Sequence, residues 1–240
     1  MLESYKRGEA IFKLFNLQEN TLNLAKDKIN QLSNGKVSLL YENNLGDVTL
    51  YLTSNGASNE CFDKMVKLFI NTFKRYIYAD YKTLLNENVI ELLKISGRTI
   101  SVAESFTGGS VASALTAITG ASKVFYEGFV CYNAQAKIKR LGVSSDTVRE
   151  YGVVSREVAY EMVKGLLNNS NCEVAVATTG YASPTGEENK PCGLCFIAVG
   201  DERKIEVFQY NFTGDRQEIT TKGKNATLFE LNKFLKDSEI

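Results

Sequence analysis

The sequence predicts an α/β protein in two parts: a small α+β domain at residues 1–80 and a larger domain at residues 84–240. Three observations support this prediction. The first part shows helix, strand, strand and helix patterns, whereas in the second part strands alternate with helices and then pair. The 240 residues are 44% hydrophobic and 23% charged, which suits one large globular domain or two small ones. For the second part we expect a mixed sheet with helices on both faces, a three-layer α/β/α arrangement.

Hydrophobic spacing predicts each element of the first part. Apolar residues near a 3.6-residue period indicate helices, β-type runs indicate strands, and the polar segment between two such runs is typical of a hairpin turn. In chain order these are a candidate strand at Glu9–Phe15, a helix at Gln18–Leu32, strands at Val37–Tyr41 and Val48–Leu52 around the turn Glu42–Asp47, a helix at Asn59–Tyr76 and a linker at Tyr78–Tyr81.

The second part is predicted by the same criteria, with glycines ending several elements. In chain order these are a helix at Leu84–Ile95, a strand at Thr99–Val102, a helix at Phe106–Ile118, a strand at Val124–Tyr132, helices at Ala134–Leu141, Asp146–Tyr151 and Arg156–Leu167, a strand at Glu173–Thr178, a loop at Gly180–Lys190, strands at Gly193–Val199 and Lys204–Phe212, and a helix at Arg216–Leu235.

Charge and hydropathy narrow the class of protein. Lys+Arg and Asp+Glu both number 28, so zero net charge gives no general attraction to nucleic acid or to an anionic membrane. No apolar run approaches the roughly 20 residues of a membrane helix. The segment 1–7 lacks the apolar region of a signal peptide. We therefore expect a cytoplasmic protein with no membrane partner.

The cysteine and histidine counts limit the possible chemistry. An odd number of cysteines, five, argues against a disulfide framework. The pair Cys192 and Cys195 falls in a strand-like run, where residues three apart face opposite sides, so we interpret both as buried apolar side chains. The chain has no histidine, which excludes a Ser-His-Asp triad and any histidine-ligated zinc site.

The most informative segment is Ala103–Gly109, where a predicted strand becomes a predicted helix. Backbone N–H groups at a helix start lack partners and attract anions, so a serine there can lie beside donors that hold an oxyanion. If Ser105 is a nucleophile, lysine is the obvious base in a chain without histidine. The alternative is that Ser105 only caps the helix.

Three more polar clusters follow predicted strands, where α/β sheets bind ligands: Tyr132–Lys137, Thr178–Gly180 and Thr213–Arg216. Lys137 lies one helical turn beyond its strand, so its amine can turn back towards Ser105, and burial would make it a usable base. The alternative is a solvated surface lysine. Arg216 is either a phosphate ligand or part of a turn that opens the last helix.

Residues 84–238 resemble the CinA C-terminal domain, the nicotinamide-nucleotide amidohydrolase family. Seven segments occur in the order that the family shows, which is more specific than any one of them. They are Ala103-Glu104-Ser105 with Thr107-Gly108-Gly109, Tyr132-Asn133 with Ala136-Lys137, Leu141-Gly142-Val143, Gly152-Val153-Val154-Ser155, Thr179-Gly180, Lys190-Pro191 with Gly193, and Gly214-Asp215-Arg216. Residues 1–80 resemble, more weakly, the KH-type middle domain of longer CinA proteins.

The resemblance implies a reaction, the hydrolysis of nicotinamide mononucleotide to nicotinic acid mononucleotide and ammonia. It implies Ser105 as nucleophile and Lys137 as general base, assisted by Tyr132. The implied substrate-binding residues are Glu104, Thr107, Gly108, Gly109, Asn133, Thr179, Gly180 and Arg216, with the glycines and Thr107 shaping an anion pocket. Such a reaction needs a nucleophile, a base and an oxyanion site, but no metal and no cofactor.

The sequence also departs from the family. Phe106 replaces the usual cysteine, which should alter the packing of the pocket but not the Ser105 hydroxyl. The loop Tyr181–Gly186 is less glycine-rich than usual, which bears on the identity of the substrate more than on the reaction. The alternative is therefore an altered nucleotide-binding or regulatory protein linked to competence or DNA damage. The first part lacks the GxxG loop by which KH domains clamp nucleic acid. We interpret it as a packing or dimerisation module, expect a homodimer, and consider nucleic acid the weaker candidate partner.

Overall fold

The computed structural model describes residues 8–80, 83–184 and 190–237. The chain divides into two compact units, Met1–Leu85 and Asn86–Ile240. Together they form a mixed α/β protein with two separate sheets. Tyr81, Thr185 and Gly186, which the sequence placed in a linker and a loop, lie outside the described residues.

The first unit is a four-stranded antiparallel sheet with two helices. Its elements are β1 at Glu9–Phe15, α1 at Glu19–Leu32, β2 at Val37–Asn44, β3 at Asp47–Ser54, α2 at Asn59–Phe73 and β4 at Ile77–Asp80. The strands lie in the order β2-β3-β1-β4. One buried apolar cluster joins the sheet to both helices. This βαββαβ connectivity is the ferredoxin-like arrangement. Beyond the helix-strand-strand-helix core of the KH-type resemblance it has β1, which confirms the candidate strand at Glu9–Phe15, and β4, which the sequence did not predict.

The linker prediction is wrong for Tyr78–Asp80, because these residues form the edge strand β4. This strand pairs antiparallel with β1, and Lys13 faces Ala79. The side chain of Tyr78 is buried and donates a 2.7 Å hydrogen bond to Asp47. Because β4 has only four residues, its hydrophobic alternation is too short to predict a strand.

The second unit contains a five-stranded mixed sheet. Its elements are α3 at Leu85–Ser96, β5 at Ile100–Glu104, α4 at Ser110–Thr116, β6 at Phe125–Val130, α5 at Ala134–Leu141, α6 at Ser145–Tyr151, α7 at Arg156–Asn169, β7 at Val174–Gly180, β8 at Leu194–Gly200, β9 at Ile205–Asn211 and α8 at Arg216–Asp237. The order is β6-β5-β7-β8-β9. Strands β6, β5 and β7 are parallel, whereas β8 and β9 run antiparallel to their neighbours.

The central strands β5, β7 and β8 are buried on both faces of the sheet. On one face, Ala175 and Ala177 of β7 share an apolar cluster with Val158 and Met162 of α7. Successive strand residues face opposite sides, so Val176 belongs to the other face, and it is equally buried. Helix α8 packs against β7 and β8. Because β5, β6 and β7 are parallel, their carboxyl ends meet at one edge of the sheet, where ligands bind in α/β folds.

Helix α4 starts four residues later than the sequence predicted. The prediction placed its start at Phe106, whereas α4 begins at Ser110. Gly108 and Gly109 adopt φ values of 62° and 98°, which disfavour residues with a Cβ and interrupt the helix. Residues 105–109 therefore form a separate turn between β5 and α4, and Ser105 is not the cap of the helix.

Candidate active site

The polar clusters that the sequence placed at strand ends come together at the carboxyl edge of the parallel strands. Ser105 directly follows β5, the segment Cys131–Lys137 follows β6, and Thr179 lies at the end of β7. The strands β6, β5 and β7 are direct neighbours. Residues far apart in the chain are thus brought into one site.

Ser105 and Lys137 form a buried pair. The Lys137 Nζ atom lies 2.9 Å from the Ser105 Oγ atom. The side chains are almost completely enclosed, since Lys137 is 1% exposed and Ser105 is 6% exposed. Nζ also donates a 2.7 Å hydrogen bond to the carbonyl of Cys131. The alternative of a solvated surface lysine is therefore excluded.

The buried position of Lys137 alters its acidity. Burial lowers the pKa of the amine from 10.5 to about 8, because desolvation disfavours the charged form. Among the described residues, no carboxylate forms an ion pair with this amine. An appreciable fraction of Lys137 is therefore neutral near physiological pH, the state that a general base requires.

The start of α5 positions Lys137. Asn133 is the N-cap of this helix, and its side chain accepts a 2.8 Å hydrogen bond from the backbone N–H of Ala136. This cap fixes the first turn, from which Lys137 points back to the sheet. Asn133 itself is exposed and does not line the pocket beside Ser105. The structure therefore gives Asn133 a capping position, whereas the resemblance implied substrate contact.

Glu104 occupies the anion site that the sequence placed at the helix start. Its buried carboxylate accepts hydrogen bonds from the backbone N–H groups of Gly109, Val111 and Ala112, at 3.0, 3.1 and 2.8 Å. A carboxylate at a helix N-terminus satisfies these donors and complements the helix dipole. The expectation of substrate contact by Glu104 and of an open anion site at α4 is therefore corrected, because the protein's own side chain already fills that position.

The turn that carries Ser105 is tied to β7 by hydroxyl groups. Thr178 Oγ1 accepts a 3.3 Å hydrogen bond from the Ser105 N–H and lies 2.7 Å from Thr107 Oγ1. Both threonines are buried. Thr107 thus braces the turn from inside rather than lining the pocket. The sequence reasoning did not assign a role to Thr178, although its position beside Thr179 at a strand end was a usable signal.

Two backbone donors in this turn remain open. Within the described part of the chain, no hydrogen-bond acceptor is recorded for the N–H groups of Phe106 and Thr107. The N–H groups that follow them are paired, since Gly108 donates to Ser105 and Ser110 donates to Thr107. The open donors directly follow the serine, as they do in the nucleophile turn of α/β-hydrolases.

A pocket of about 180 Å³ opens beside the Ser105 hydroxyl. Its walls combine the serine and lysine with apolar side chains and with polar groups near the rim. The Thr179 hydroxyl donates a 2.7 Å hydrogen bond to the Val153 carbonyl and so closes the wall between β7 and the loop before α7. The lining residues are Ser105, Phe106, Tyr132, Lys137, Val153, Val154, Thr179, Gly180, Tyr181, Ala182 and Arg216.

Arg216 lies at the mouth of this pocket, between two hydroxyl groups. Its guanidinium donates a 2.9 Å hydrogen bond to Ser183 and a second hydrogen bond to the phenol oxygen of Tyr132. Tyr132 is 57% exposed, so its ring belongs to the rim. Its hydroxyl is directed to Arg216 rather than to Lys137, whereas its backbone carbonyl accepts a 3.5 Å hydrogen bond from the Ser105 hydroxyl.

Phe106 fills a space provided by two glycines. Its ring is buried, and a Cβ atom built at Gly180 would lie 3.0 Å from it. A Cβ atom at Gly223 of α8 would lie only 2.4 Å from two of its ring carbons. The ring therefore packs between β7 and α8, while the Ser105 hydroxyl faces Lys137. This agrees with the expectation that Phe106 changes packing and leaves the serine hydroxyl in place.

The fold and the site together define a mixed α/β protein with a buried serine–lysine pair at the carboxyl edge of its parallel strands. The family model described as the CinA C-terminal domain matches residues 82–235, which include all of these groups. The chain belongs to the CinA C-terminal domain family.

Relatives extend this similarity beyond the second unit. A CinA-like protein of Thermotoga maritima is 34% identical over 233 residues, covering 96% of this chain and 57% of the relative. A putative competence-damage inducible protein of Caldicellulosiruptor saccharolyticus is 39% identical over 182 residues, covering 75% of this chain and 44% of the relative. The chain thus spans about half the length of these relatives.

Solved structures share the fold of the second unit. A CinA superfamily protein from Klebsiella pneumoniae superimposes with a TM-score of 0.62 at 30% identity, covering 64% of this chain and 96% of that one. A competence/damage inducible protein from Agrobacterium tumefaciens gives a TM-score of 0.59 at 35% identity, covering 65% and 94%. Among the residues that our structure describes, no helix is long and apolar enough to span a membrane.

Proposed function

We propose that this protein hydrolyses a carboxamide to a carboxylic acid and ammonia by a serine–lysine mechanism, with nicotinamide mononucleotide as the substrate. The observation that carries the proposal is the 2.9 Å contact between the Lys137 amine and the Ser105 hydroxyl. A buried, partly neutral lysine beside a serine is an activated nucleophile that needs no histidine.

In the first half of the reaction, the Ser105 oxygen attacks the carboxamide carbon, and Lys137 takes the hydroxyl proton. The hydrogen bond from Nζ to the Cys131 carbonyl fixes the amine, so its lone pair can face the serine. The tetrahedral intermediate carries a negative oxygen. When it collapses, the C–N bond breaks, and the protonated Lys137 gives its proton to the departing ammonia.

In the second half, water hydrolyses the resulting serine ester. Lys137 removes a proton from the water as the oxygen attacks the ester carbon, and it returns a proton to the Ser105 oxygen as the acid leaves. The open N–H groups of Phe106 and Thr107 are suited to hold the negative oxygen in both halves. These residues directly follow Ser105 in the chain, which supports this role.

The pocket supports a flat substrate with a remote anion. Phe106, Val153 and Val154 give the walls an apolar character that suits a pyridine ring. Arg216 at the mouth is held by two neutral hydroxyls, so its positive charge is available to a phosphate. The volume of about 180 Å³ suits the ring and amide, and the phosphoribose would extend to the mouth. Among possible carboxamide substrates, we choose this nucleotide because residues 84–238 resemble the nicotinamide-nucleotide amidohydrolase family.

Ammonia release from nicotinamide mononucleotide tests the proposal. Purified protein should release ammonia and nicotinic acid mononucleotide in equal amounts, and Ser105→Ala should release neither. The matched control is Lys139→Ala, which changes an exposed lysine of α5, the helix that carries Lys137. Saturable binding of the nucleotide without ammonia release would favour the altered nucleotide-binding or regulatory protein. Neither binding nor release would remove the nucleotide as ligand.

A further inference from the structure

The hydroxyl groups of Thr178 and Thr107 form a buried contact directly behind the Ser105 turn. The two oxygens lie 2.7 Å apart, and Thr178 also accepts the Ser105 N–H at 3.3 Å. The threonines are 1% and 2% exposed, so water cannot replace either hydroxyl without rearrangement. We call these two residues the threonine brace.

The brace adds side-chain hydrogen bonds between two strands that are also joined by backbone pairing and by apolar packing. Thr178 belongs to β7, whereas Thr107 lies in the turn after β5, and the two strands are paired as far as Ala103 and Ala177. Beyond that point the Ser105 turn leaves the sheet, and the brace supplies hydrogen bonds between this turn and β7. The turn is attached to β5 at one end, and at the other end the Glu104 carboxylate holds the start of α4. The contact between Thr107 and Thr178 fixes the middle of the turn.

We propose that Thr178, acting through Thr107, is a positioning residue that holds the Phe106 and Thr107 N–H groups in place for the oxyanion. This inference rests on the proposed function. Oxyanion donors are effective only when they are fixed before the charge develops, because a turn that must reorganise loses much of the stabilisation. Thr178 itself touches neither the pocket nor Lys137 among the described contacts.

Thr178→Val removes the hydroxyl and keeps the branched shape that a strand favours. We expect kcat to fall by ~10–10²-fold with KM changed less than about threefold, because the lost interaction acts in the transition state. The pH midpoint of the rate should not move, since Lys137 is untouched. Thr178→Ser keeps the hydroxyl and should restore most of the rate. Adding Thr107→Val to Thr178→Val should cost little more, because both remove the same contact.

Ser101→Ala is the matched control. Ser101 belongs to β5, four residues before Ser105, and its hydroxyl makes a 2.7 Å contact with the Ser170 hydroxyl, away from the pocket. It should lower stability by an amount similar to Thr178→Val and leave kcat unchanged. An equal loss of kcat in both variants would show a general effect of strand packing and would overturn the positioning role.

A fluorophosphonate probe separates this inference from the proposed substrate. The Ser105 oxygen attacks phosphorus, Lys137 takes the proton, fluoride leaves, and the phosphoryl oxygen occupies the oxyanion site. Mass spectrometry measures the labelling rate. If the probe labels the wild-type protein but the protein does not hydrolyse the nucleotide, the proposed substrate is wrong. In that case a ~10-fold or larger decrease in the labelling rate of Thr178→Val would still support the positioning role of Thr178. Labelling of Thr178→Val at the wild-type rate would overturn the brace, and an unreactive wild-type Ser105 would overturn both.

Discussion

The Lys137 amine lies 2.9 Å from the Ser105 hydroxyl, although 32 positions separate the two residues in the chain. The contact exists because β5 and β6 are adjacent and parallel, so the turn after one strand faces the helix after the other. It also requires burial of a lysine, which is rare unless the amine is hydrogen bonded or has a function. Here the amine has both the Cys131 carbonyl and the serine as partners.

Removal of either member of this pair should abolish most of the activity. We expect Ser105→Ala and Lys137→Ala each to lower deamidation by at least ~10³-fold, and the double variant to be little worse, because the members of one catalytic unit are not additive. Steady-state ammonia release measures this, and circular dichroism verifies folding. Near-full activity of a folded Lys137→Ala protein would contradict the assignment of the base.

The rate should increase with pH through the pKa of Lys137. Because the free enzyme needs the neutral amine, kcat/KM should rise about tenfold per pH unit well below a midpoint near 8 and level off above it. Initial rates between pH 6 and 10 measure the profile. A rate that is constant over this range would show that no group of this acidity acts as the base.

The buried amine should reduce stability at neutral pH. Its folded pKa of about 8 lies below the 10.5 of an exposed lysine, so the unfolded chain binds more protons between these values. The free energy of unfolding attributable to Lys137 therefore rises with pH from about 8 to 10.5. Lys137→Met should be more stable than the wild type at pH 7, by up to about 3 kcal/mol, and this difference should shrink above pH 8.

Urea denaturation of both proteins at pH 7, 8.5 and 10 measures this difference. Lys139→Met, at an exposed position of the same helix, is the control and should show no such trend. A stability difference between Lys137→Met and wild type that is the same at every pH would mean that the pKa of Lys137 is not lowered in the folded protein.

Arg216 should act on the phosphate end of the substrate. We expect Arg216→Ala to lower kcat/KM for nicotinamide mononucleotide by ~10–10³-fold and to have little effect on nicotinamide riboside, which has no phosphate. Ser183→Ala should show a smaller loss with the same selectivity, because Ser183 holds the guanidinium. Arg149→Ala, an exposed arginine paired with Asp146, is the control. Equal losses on both substrates would assign Arg216 to the fold or the amide end.

Replacement of Gly223 by alanine should destabilise the protein while Phe106 is present. Glycine in a helix normally costs about 1 kcal/mol relative to alanine, so Gly223→Ala would stabilise an open position. Here the added methyl group meets the Phe106 ring at 2.4 Å, and we expect a loss of about 1–3 kcal/mol. In a Phe106→Ala background the same change should become neutral or stabilising. Thermal unfolding of the four proteins tests this, and an unchanged penalty would place the strain elsewhere.

The sequence by itself predicted most of the elements and the position of Ser105 at the end of a strand. Long apolar periods such as that of α2 and the buried runs of β7 and β8 are strong local signals, and they remain visible without tertiary contacts. The sequence placed Gly108 and Gly109 at the start of a helix, whereas in the structure they belong to a turn that precedes α4. The clusters at Tyr132–Lys137 and Thr178–Gly180 were predicted to lie at the same edge, since parallel strands end together.

Only the tertiary structure decided which of these groups meet and what each one does. The spacing of residues could not decide whether Lys137 is a base or a surface lysine. Its environment depends on which face of α5 carries it and on the neighbouring strand. The same limit applies to Glu104, whose carboxylate turns onto the helix, and to Tyr132, whose hydroxyl reaches Arg216. Local periodicity reports which face of an element is buried. It carries no information about partners from distant segments, and those partners fix burial, pKa and hydrogen bonding at this site.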